Sequence, residues 1–273
     1  MKCHKLIPIK SDDLSQKYVS KTISSRTPFI GGNWKCNGTC ETVTILIDML
    51  NNITTNNAEI VIAPPMLHIQ HVVDTVNRNI DVAVQNVSHQ VGYGAFTGEI
   101  TADMARDVGA RWAIIGHSER RHKIAAETYT EIATRAICAH DAGLKVILCI
   151  GETEQEHAMG KTKEVCIAQL IALDFATRQS LLLDTVIAYE PVWAIGTGQS
   201  ATPEQAEEVH STIRSWIRET VGDHLADTTR IIYGGSVKSD NCKVLIACDN
   251  IDGFLIGGAS LTEEFATIIN KIK

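Results

Sequence analysis

The sequence predicts a closed (β/α)8 barrel, and three observations lead to this fold class. Eight short, almost wholly apolar segments recur along the chain from Phe29 onward, without alternation of apolar and polar residues. Such segments are typical of strands that are buried on both faces, as in parallel sheets. Amphipathic segments lie between them, and strand–helix alternation indicates right-handed crossovers. The length of 273 residues suits one barrel domain, since such barrels have about 250 residues.

The eight predicted strands are distributed along the whole chain. In order they read FIGGN, EIVIA, IDVAVQN, WAIIG, KVILCIG, TVIAYE, RIIYGG and IDGFLIGG. Two intervening segments have an apolar face at helical spacing. These faces comprise Val43, Leu46, Ile47 and Leu50 in the first segment, and Val209, Ile213, Trp216 and Ile217 in the later one. Thr202 before Pro203 predicts a helix start, with threonine as the N-cap and proline in the first turn.

An open, doubly wound sheet is the alternative arrangement of eight such units. In that architecture the first strand often leads into a G-x-G-x-x-G turn, and ligands bind at one switch point. This sequence has no such turn after its first strand, and polar residues follow many of the strands. The closed barrel is therefore favoured, as a single catalytic domain over residues 26–273.

Residues 1–25 differ in composition and are interpreted as a short N-terminal extension. They are rich in Lys and Ser and lack the apolar core of a secretory signal. Organellar transit peptides usually favour Arg and avoid acids, whereas this segment contains Asp12 and Asp13. The eight cysteines form no C-x-x-C pair, which fits reduced thiols. A cytoplasmic location is expected, and organellar targeting by residues 1–25 remains open.

Composition argues against several kinds of partner. The net charge of −7 disfavours nucleic acid and anionic membranes. No apolar run approaches the roughly 18 residues of a membrane span. His68 and His71 share a spacing typical of one helix face, but no second cluster of metal ligands accompanies them. Neither a metal nor another cofactor is expected.

Polar residues at the ends of the first and fourth strands are candidates for chemistry, because catalytic residues of such barrels lie at strand C-termini. Asn33 and Lys35 could face the barrel mouth or form an ordinary solvated turn. His117 would lie beside a helix N-terminus, which disfavours imidazolium and favours the neutral ring. A structural histidine is the alternative. Ser118 is expected to cap that helix, and Glu119 to pair with Lys35 or with the arginine that follows it.

The sixth predicted strand ends on Glu190, and Pro191 follows at once. Proline donates no backbone hydrogen bond and disfavours helical geometry at Glu190, so the carboxylate stays on an extended segment. Trp193 belongs to an apolar stretch that runs into Gly196 and Gly198. A loop that is stiff at its entry and pliable at its exit is typical of a lid, and closure would raise the basicity of the carboxylate. An ordinary loop with Pro and Gly is the alternative.

The seventh and eighth strands end in paired glycines, in YGGSV and IGGAS. Backbone N–H groups in such loops can approach an anion, and a short helix starting near Gly258 would add its positive end. Phosphate sites of these barrels are frequently built from this pair of loops. Together with the carboxylate, the neutral imidazole and Lys35, they favour proton abstraction beside a carbonyl. The predicted reaction is a cofactor-free aldose–ketose isomerisation of a small phosphorylated sugar.

Five segments together resemble the triosephosphate isomerase family. They are GGNWKCNG, GHSERR, YEPVWAIGTG, YGGSV and GGAS, and they occur in this order over residues 26–273. The resemblance implies a TIM barrel that interconverts D-glyceraldehyde 3-phosphate and dihydroxyacetone phosphate in glycolysis and gluconeogenesis. The tuned base, the neutral histidine and the moving loop are known properties of this family.

The resemblance also implies roles for individual residues. Glu190 is implied as the catalytic base and His117 as the neutral electrophile. Lys35 is implied as a further catalytic residue, supported by Glu119. Contacts with substrate are implied for Asn33, Lys35, Gly196, Ser236, Gly257 and Gly258.

Residues 87–99, with the sequence VSHQVGYGAFTGE, form a long connection. Ordinary strand-to-helix loops have about two to six residues. The family is typically homodimeric, and its corresponding loop inserts into the partner subunit near the catalytic lysine. The resemblance therefore implies a homodimer through loop 87–99 and the region of Cys36.

Two alternatives remain at this point. Another phosphosugar-binding barrel enzyme would share the glycine loops but not the combination of Lys35, His117 and Glu190. A non-catalytic barrel that only binds its ligand would be indicated by an altered catalytic residue. None of the three is altered in this sequence.

Overall fold

The chain folds into the predicted parallel barrel. The computed structural model describes residues 26–53, 58–194 and 201–272. Each strand pairs in parallel with the next, and β8 pairs with β1, which closes the barrel. The strands are β1 Phe29–Asn33, β2 Glu59–Ala63, β3 Ile80–Val84, β4 Trp112–Ile115, β5 Lys145–Ile150, β6 Thr185–Tyr189, β7 Ile231–Tyr233 and β8 Gly253–Ile256. The predicted fold class is confirmed, whereas the predicted extension over residues 1–25 lies outside the described residues.

Helices connect the strands. They are α1 Cys40–Asn51, α2 Ile69–Thr75, α3 Ala102–Asp107, α4 Tyr129–Asp141, α5 Glu154–Ala158, α6 Thr162–Ile171, α7 Gln179–Leu183, α8 Pro203–Thr220, α9 Asp223–Thr228, α10 Cys242–Ile246 and α11 Glu264–Lys271. Short 3-10 helices occur at Met66–His68, Val192–Ala194 and Gly258–Leu261, and a π-helical turn occurs at Arg120–Ile124.

The strands are uniformly apolar because both of their faces are buried. On β2, Val61 belongs to the cluster that fills the barrel interior, whereas its neighbours Ile60 and Ile62 belong to the layer beneath the helices. Phe29 and Trp112 fill part of the interior with an edge-to-face contact whose ring centroids lie 5.1 Å apart. This two-sided burial explains why no strand shows an apolar–polar alternation.

The amphipathic patterns and the predicted helix start are also confirmed. The buried faces include Val43, Leu46, Ile47 and Leu50 on α1, and Val209, Ile213 and Ile217 on α8 beside the half-buried Trp216. Thr202 is the N-cap of α8, where its hydroxyl accepts from the backbone N–H of Gln205 over 3.2 Å. The Gln205 side chain accepts in return from the Thr202 N–H over 2.9 Å. Such a capping box contributes about 1 kcal/mol to helix stability.

Three further findings concern only the described residues. None of their helices combines the length and the apolar character needed to cross a membrane. Their seven cysteines are all free thiols. No group of three or more His, Cys, Asp or Glu side chains among them is arranged to hold a metal ion.

Candidate active site

A cavity of about 380 Å3 lies at the C-terminal ends of the strands. Its lining includes seven of the predicted site residues, namely Asn33, Lys35, His117, Glu190, Ser236, Gly257 and Gly258. Glu119 lines an adjoining hollow of about 350 Å3, which shares Asn33, Lys35 and His117 with the cavity. Gly196, the remaining predicted residue, lies outside the described residues. Strand ends that are far apart in the sequence thus meet in one place.

The Glu190 carboxylate follows β6 and is held in a tightly packed position. Only 2% of the residue is exposed. Its Oε2 accepts a hydrogen bond from the Ser118 backbone N–H over 2.9 Å, and its Oε1 lies 3.0 Å from His117 Nε2. A Cβ on Gly151 would lie 1.8 Å from the Glu190 carbonyl oxygen, and one on Gly234 would lie 2.9 Å from its Cγ. Glycine is therefore needed on both sides of this residue.

The hydrogen bonds of His117 define the tautomer of its ring. The backbone N–H of Glu119 donates to Nδ1 over 3.2 Å, so Nδ1 carries no proton. Nε2 is then the protonated nitrogen of a neutral imidazole, and it donates to the Glu190 carboxylate. The neutral ring expected from the sequence is thus explained by a backbone donor from its own loop.

The turn around His117 differs in one respect from the prediction. Gly116 has a φ of +75°, so the chain reverses there as expected from a glycine. The predicted Ser118 cap is wrong, because the π-helical turn Arg120–Ile124 has no side-chain cap. Ser118 contributes its backbone N–H to Glu190 instead. The loop after β4 approaches the end of β6 closely enough for this bond. The spacing of residues in the sequence does not reveal this approach.

Lys35 and Glu119 form an ion pair across the entrance of the site. Lys35 Nζ donates to Glu119 Oε1 over 2.9 Å, whereas Arg120, the other candidate partner, pairs with Glu127. Burial acts to raise the pKa of the Glu119 carboxyl, but the hydrogen bond and the charge of Lys35 outweigh it. The pKa of Glu119 therefore lies below its usual value, and the carboxylate stays ionised. Asn33 Oδ1 accepts from the Lys35 N–H over 2.9 Å.

Gln85 supports Lys35 and was missed in the sequence. The Lys35 backbone has a φ of +52°, which is uncommon for a residue other than glycine. Gln85 Nε2 donates to the Lys35 carbonyl over 2.7 Å and to the Ala63 carbonyl over 2.9 Å. These bonds stabilise the strained backbone. The predicted strand IDVAVQN included Gln85, which concealed it, whereas β3 ends at Val84 and leaves Gln85 at the strand exit.

Glu152 is a second residue that sequence reasoning missed. It follows β5, is fully buried, and accepts from Trp193 Nε1 over 2.8 Å and from the Tyr189 hydroxyl over 3.1 Å. Burial and the charge of Glu152 raise the pKa of Tyr189, so that hydroxyl remains a donor. Glu152 thereby fixes Trp193, which belongs to the apolar part of the predicted lid. Its place at a strand end, like that of Glu190, could have identified it.

Backbone donors are available at the two glycine loops. Within the described residues, the N–H groups of Gly235, Ser236, Gly257 and Gly258 donate to no backbone or side-chain acceptor. A short 3-10 helix begins at Gly258, as predicted. A Cβ on Gly257 would lie 3.4 Å from Lys35 Cε, so the lysine side chain passes beside this loop. Free N–H groups next to an ammonium form an environment that suits an anion.

Comparison with known proteins agrees with this architecture. The model of the family described as triosephosphate isomerase matches residues 28–272. A chloroplastic triosephosphate isomerase of Secale cereale is 48% identical over 246 residues, which cover 89% of this chain and 81% of that protein. A triosephosphate isomerase of Taenia solium is 48% identical over 248 residues, covering 90% and 98%, respectively.

A cytosolic triosephosphate isomerase of Stellaria longipes is 47% identical over 249 residues, which cover 89% of this chain and 95% of that protein. All of these matches extend over nearly the whole predicted barrel. They confirm the resemblance that was inferred from five short segments, and with it the class of isomerases. By its family match, its identity to these relatives and its closed barrel, the chain belongs to the triosephosphate isomerase family.

Proposed function

We propose that this chain interconverts D-glyceraldehyde 3-phosphate and dihydroxyacetone phosphate without a cofactor. The observation that carries this proposal is one cavity that holds the Glu190 carboxylate, the neutral His117 ring and Lys35 beside two glycine loops. The reaction moves a proton between adjacent carbons through an enediolate. It needs a base at the carbons, donors at the oxygens and a site for the phosphate.

Glu190 is the proposed base. Its carboxylate removes a proton from the carbon next to the carbonyl, and the electrons of the broken C–H bond form the C=C bond of the enediolate. The carbonyl oxygen takes up the negative charge. The hydroxyl proton then passes from one enediolate oxygen to the other, and return of the carbon-bound proton from Glu190 to the neighbouring carbon gives the isomer. For this, the carboxylate has to exchange its contacts with Ser118 and His117 for contact with the substrate.

His117 and Lys35 are proposed to stabilise the enediolate. The Nε2–H group of the neutral imidazole, now 3.0 Å from Glu190 Oε1, would donate to the substrate oxygen instead. The Lys35 ammonium would oppose the same negative charge, and Glu119 positions that ammonium through their ion pair. Asn33 is proposed to contact the substrate from the end of β1. Such donors are most effective where water is excluded from the reacting groups.

The phosphate is proposed to bind at the N–H groups of Ser236, Gly257 and Gly258. Gly196, which lies outside the described residues, is proposed to contribute from the lid. The chain is held on both sides of this segment. Val192 N–H donates to the Glu152 carbonyl over 3.2 Å, and Ala201 N–H donates to the Tyr233 hydroxyl over 3.1 Å.

A homodimer through loop 87–99 and the region of Cys36 is part of the proposal. The loop exposes apolar side chains, with Val91 at 85% and Tyr93 at 69% exposure. The hollow beside Lys35 is lined by Cys36 and by Ile124, which is itself 68% exposed. A two-fold axis would place each loop in the hollow of the other subunit, since such an interface uses the same patch on both copies.

A cytoplasmic location is proposed for the enzyme. The names of its relatives include both chloroplastic and cytosolic forms, and organellar targeting by residues 1–25 is the alternative. Fusion of these residues to a fluorescent reporter tests this point, and accumulation of the reporter in an organelle would contradict it.

A coupled assay with D-glyceraldehyde 3-phosphate tests the proposed reaction. The wild-type chain should convert it, and Glu190→Gln should lower turnover at least about 10²-fold, the lower range for a general base. Glu164→Gln, an exposed carboxylate on α6, is the matched control and should retain wild-type turnover. A wild-type protein without activity on either triose phosphate would refute the proposed function. Near-wild-type turnover of Glu190→Gln would refute only the assignment of the base.

A further inference from the structure

We infer that Lys238 attracts the phosphate group of the substrate and favours doubly charged phosphate ligands over less charged ones. This inference rests on the proposed function and adds a residue that determines specificity for charge. Lys238 lines the same cavity as His117 and Glu190, and it stands two residues beyond Ser236. Neither the sequence patterns nor the proposed mechanism assigns it a role.

The charges around the cavity explain why this lysine matters. Four charged side chains contribute to the lining, namely Lys35, Glu190, Lys238 and Glu264. The ammonium of Lys35 is already paired with Glu119 at 2.9 Å, and Glu190 is negative. The chain as a whole has a net charge of −7, which repels a phosphate dianion. Lys238 is therefore the cation of the lining that lacks a carboxylate partner within the described residues.

The backbone of Lys238 is fixed at the rim. Its N–H donates to Asn241 Oδ1 over 2.8 Å, and its carbonyl accepts from the Cys242 N–H over 3.0 Å. Asn241 Nδ2 donates to the Ser236 carbonyl over 3.1 Å, so one side chain ties Lys238 to the glycine loop. The Lys238 side chain itself is exposed. An exposed ammonium on a fixed backbone can meet an incoming anion and remain hydrated.

Glu264, which also lines the cavity, opposes this effect with its negative charge. Its Oε1 accepts from the Ser239 N–H over 3.0 Å, which holds the carboxylate beside the cavity. Lys271 Nζ donates to the Ser239 carbonyl over 2.6 Å and partly offsets Glu264, but Lys271 does not line the cavity. Without Lys238, the lining would keep the Glu264 carboxylate and lose its one cation without a carboxylate partner among the described residues. Loss of the lysine should therefore weaken phosphate binding by more than the loss of one distant surface charge, and charge reversal should weaken it further.

The test compares Lys238→Gln and Lys238→Glu with Lys243→Gln. Lys243 lies exposed on α10 outside the cavity lining, so its replacement removes the same charge without touching the site. A unit charge within about 7 Å of a dianion in water changes its affinity roughly five- to tenfold at low ionic strength. We expect Lys238→Gln to lower kcat/KM by about that factor through KM, and added salt to reduce the difference. Lys238→Glu should lose more, and Lys243→Gln should match the wild type.

Inorganic phosphate provides a readout that does not depend on turnover. Its dissociation constant, measured by calorimetry, should rise about five- to tenfold in Lys238→Gln, and the rise should be larger at a pH where phosphate is doubly charged. Equal phosphate binding and equal kcat/KM in Lys238→Gln and Lys243→Gln would overturn the inference. A wild-type chain that binds phosphate without isomerising triose phosphates would instead overturn the proposed function, and the binding comparison would still decide the role of Lys238.

Discussion

Nε2 of His117 lies 3.0 Å from Oε1 of Glu190, although the two residues follow different strands of the barrel. The Glu119 backbone N–H donates a hydrogen bond to the other ring nitrogen, Nδ1, so the proton of the neutral ring is on Nε2 and points toward the carboxylate. A proton acceptor and a neutral donor therefore share one hydrogen bond before any substrate is bound. This relationship leads to the first of five predictions.

Replacing His117 with Gln should lower kcat about 10²–10³-fold, the loss typical of one oxyanion donor. An amide side chain offers a donor but does not reproduce the geometry of a ring fixed by the Glu119 N–H. Steady-state kinetics measure the loss, and calorimetry with inorganic phosphate provides the control, because phosphate affinity should stay unchanged. A kcat within threefold of the wild type would contradict the assigned role.

Glu119→Gln should lower kcat/KM about ten- to hundredfold, since misplacing a catalytic group by about 1 Å has effects of this size. The variant removes the charge that pairs with Lys35. The matched control is Glu208→Gln, which breaks the exposed ion pair with Lys163 far from the cavity. Equal kinetics of the two variants would show that Glu119 does not position Lys35.

The ionisation of Glu119 should also affect the pH dependence of the stability of the folded chain. In the folded chain the pKa of Glu119 lies below the usual carboxyl value. At every pH above that usual value, the ion pair with Lys35 is therefore formed and stabilises the folded chain. The stabilising effect is lost only as the pH falls through the lowered pKa. Glu119→Gln should not show this loss of stability at acidic pH. Unfolding midpoints of the variant and the wild type, compared at acidic pH, can detect the difference.

The buried His210 should make the fold sensitive to acid. Burial is the main cause that lowers its pKa from 6.5 to about 4, and its Nδ1 donates to the Ala206 carbonyl. Between these two pH values the unfolded chain binds a proton that the folded chain does not. Stability is thus fully present above pH 6.5 and falls as the pH approaches 4, by roughly 3 kcal/mol.

His210→Asn isolates this contribution. The variant should be less stable at neutral pH, but its free energy of unfolding should depend less on pH between 6.5 and 4. Denaturant unfolding of both proteins across this range gives the difference. Parallel curves for the two proteins would show that His210 already titrates normally in the folded state.

Modification of Cys36 by a bulky thiol reagent should weaken the dimer and the activity together. Cys36 is exposed and lines the hollow that is proposed to receive the partner's loop. After treatment with the reagent, the sedimentation coefficient and the turnover of the wild type should fall in parallel, whereas those of Cys36→Ser should not. Cys40, which is also exposed, provides the control, since Cys40→Ala should remain sensitive. Complete modification with an intact dimer and full activity would rule out this arrangement.

Local patterns in the chain were sufficient to predict the barrel. The segment FIGGN coincides with β1, and the predicted cap Thr202 begins α8 where expected. These features depend on neighbours within a few residues, because two-sided burial and N-capping select residue types locally. Candidate residues such as Glu190 and Lys35 could also be found, since strand ends are the positions where such barrels place their chemistry.

Only the tertiary structure decided which of these residues meet and how they are held. The bond from the Ser118 N–H to Glu190, the burial of Glu152 beneath Trp193, and the approach of Lys238 to the cavity join parts of the chain that are distant in sequence. Their distances follow from closure of eight strands into a ring, which no local periodicity encodes. The sequence by itself determined the barrel and its candidate residues, and packing determined the hydrogen bonds and charges that act between them.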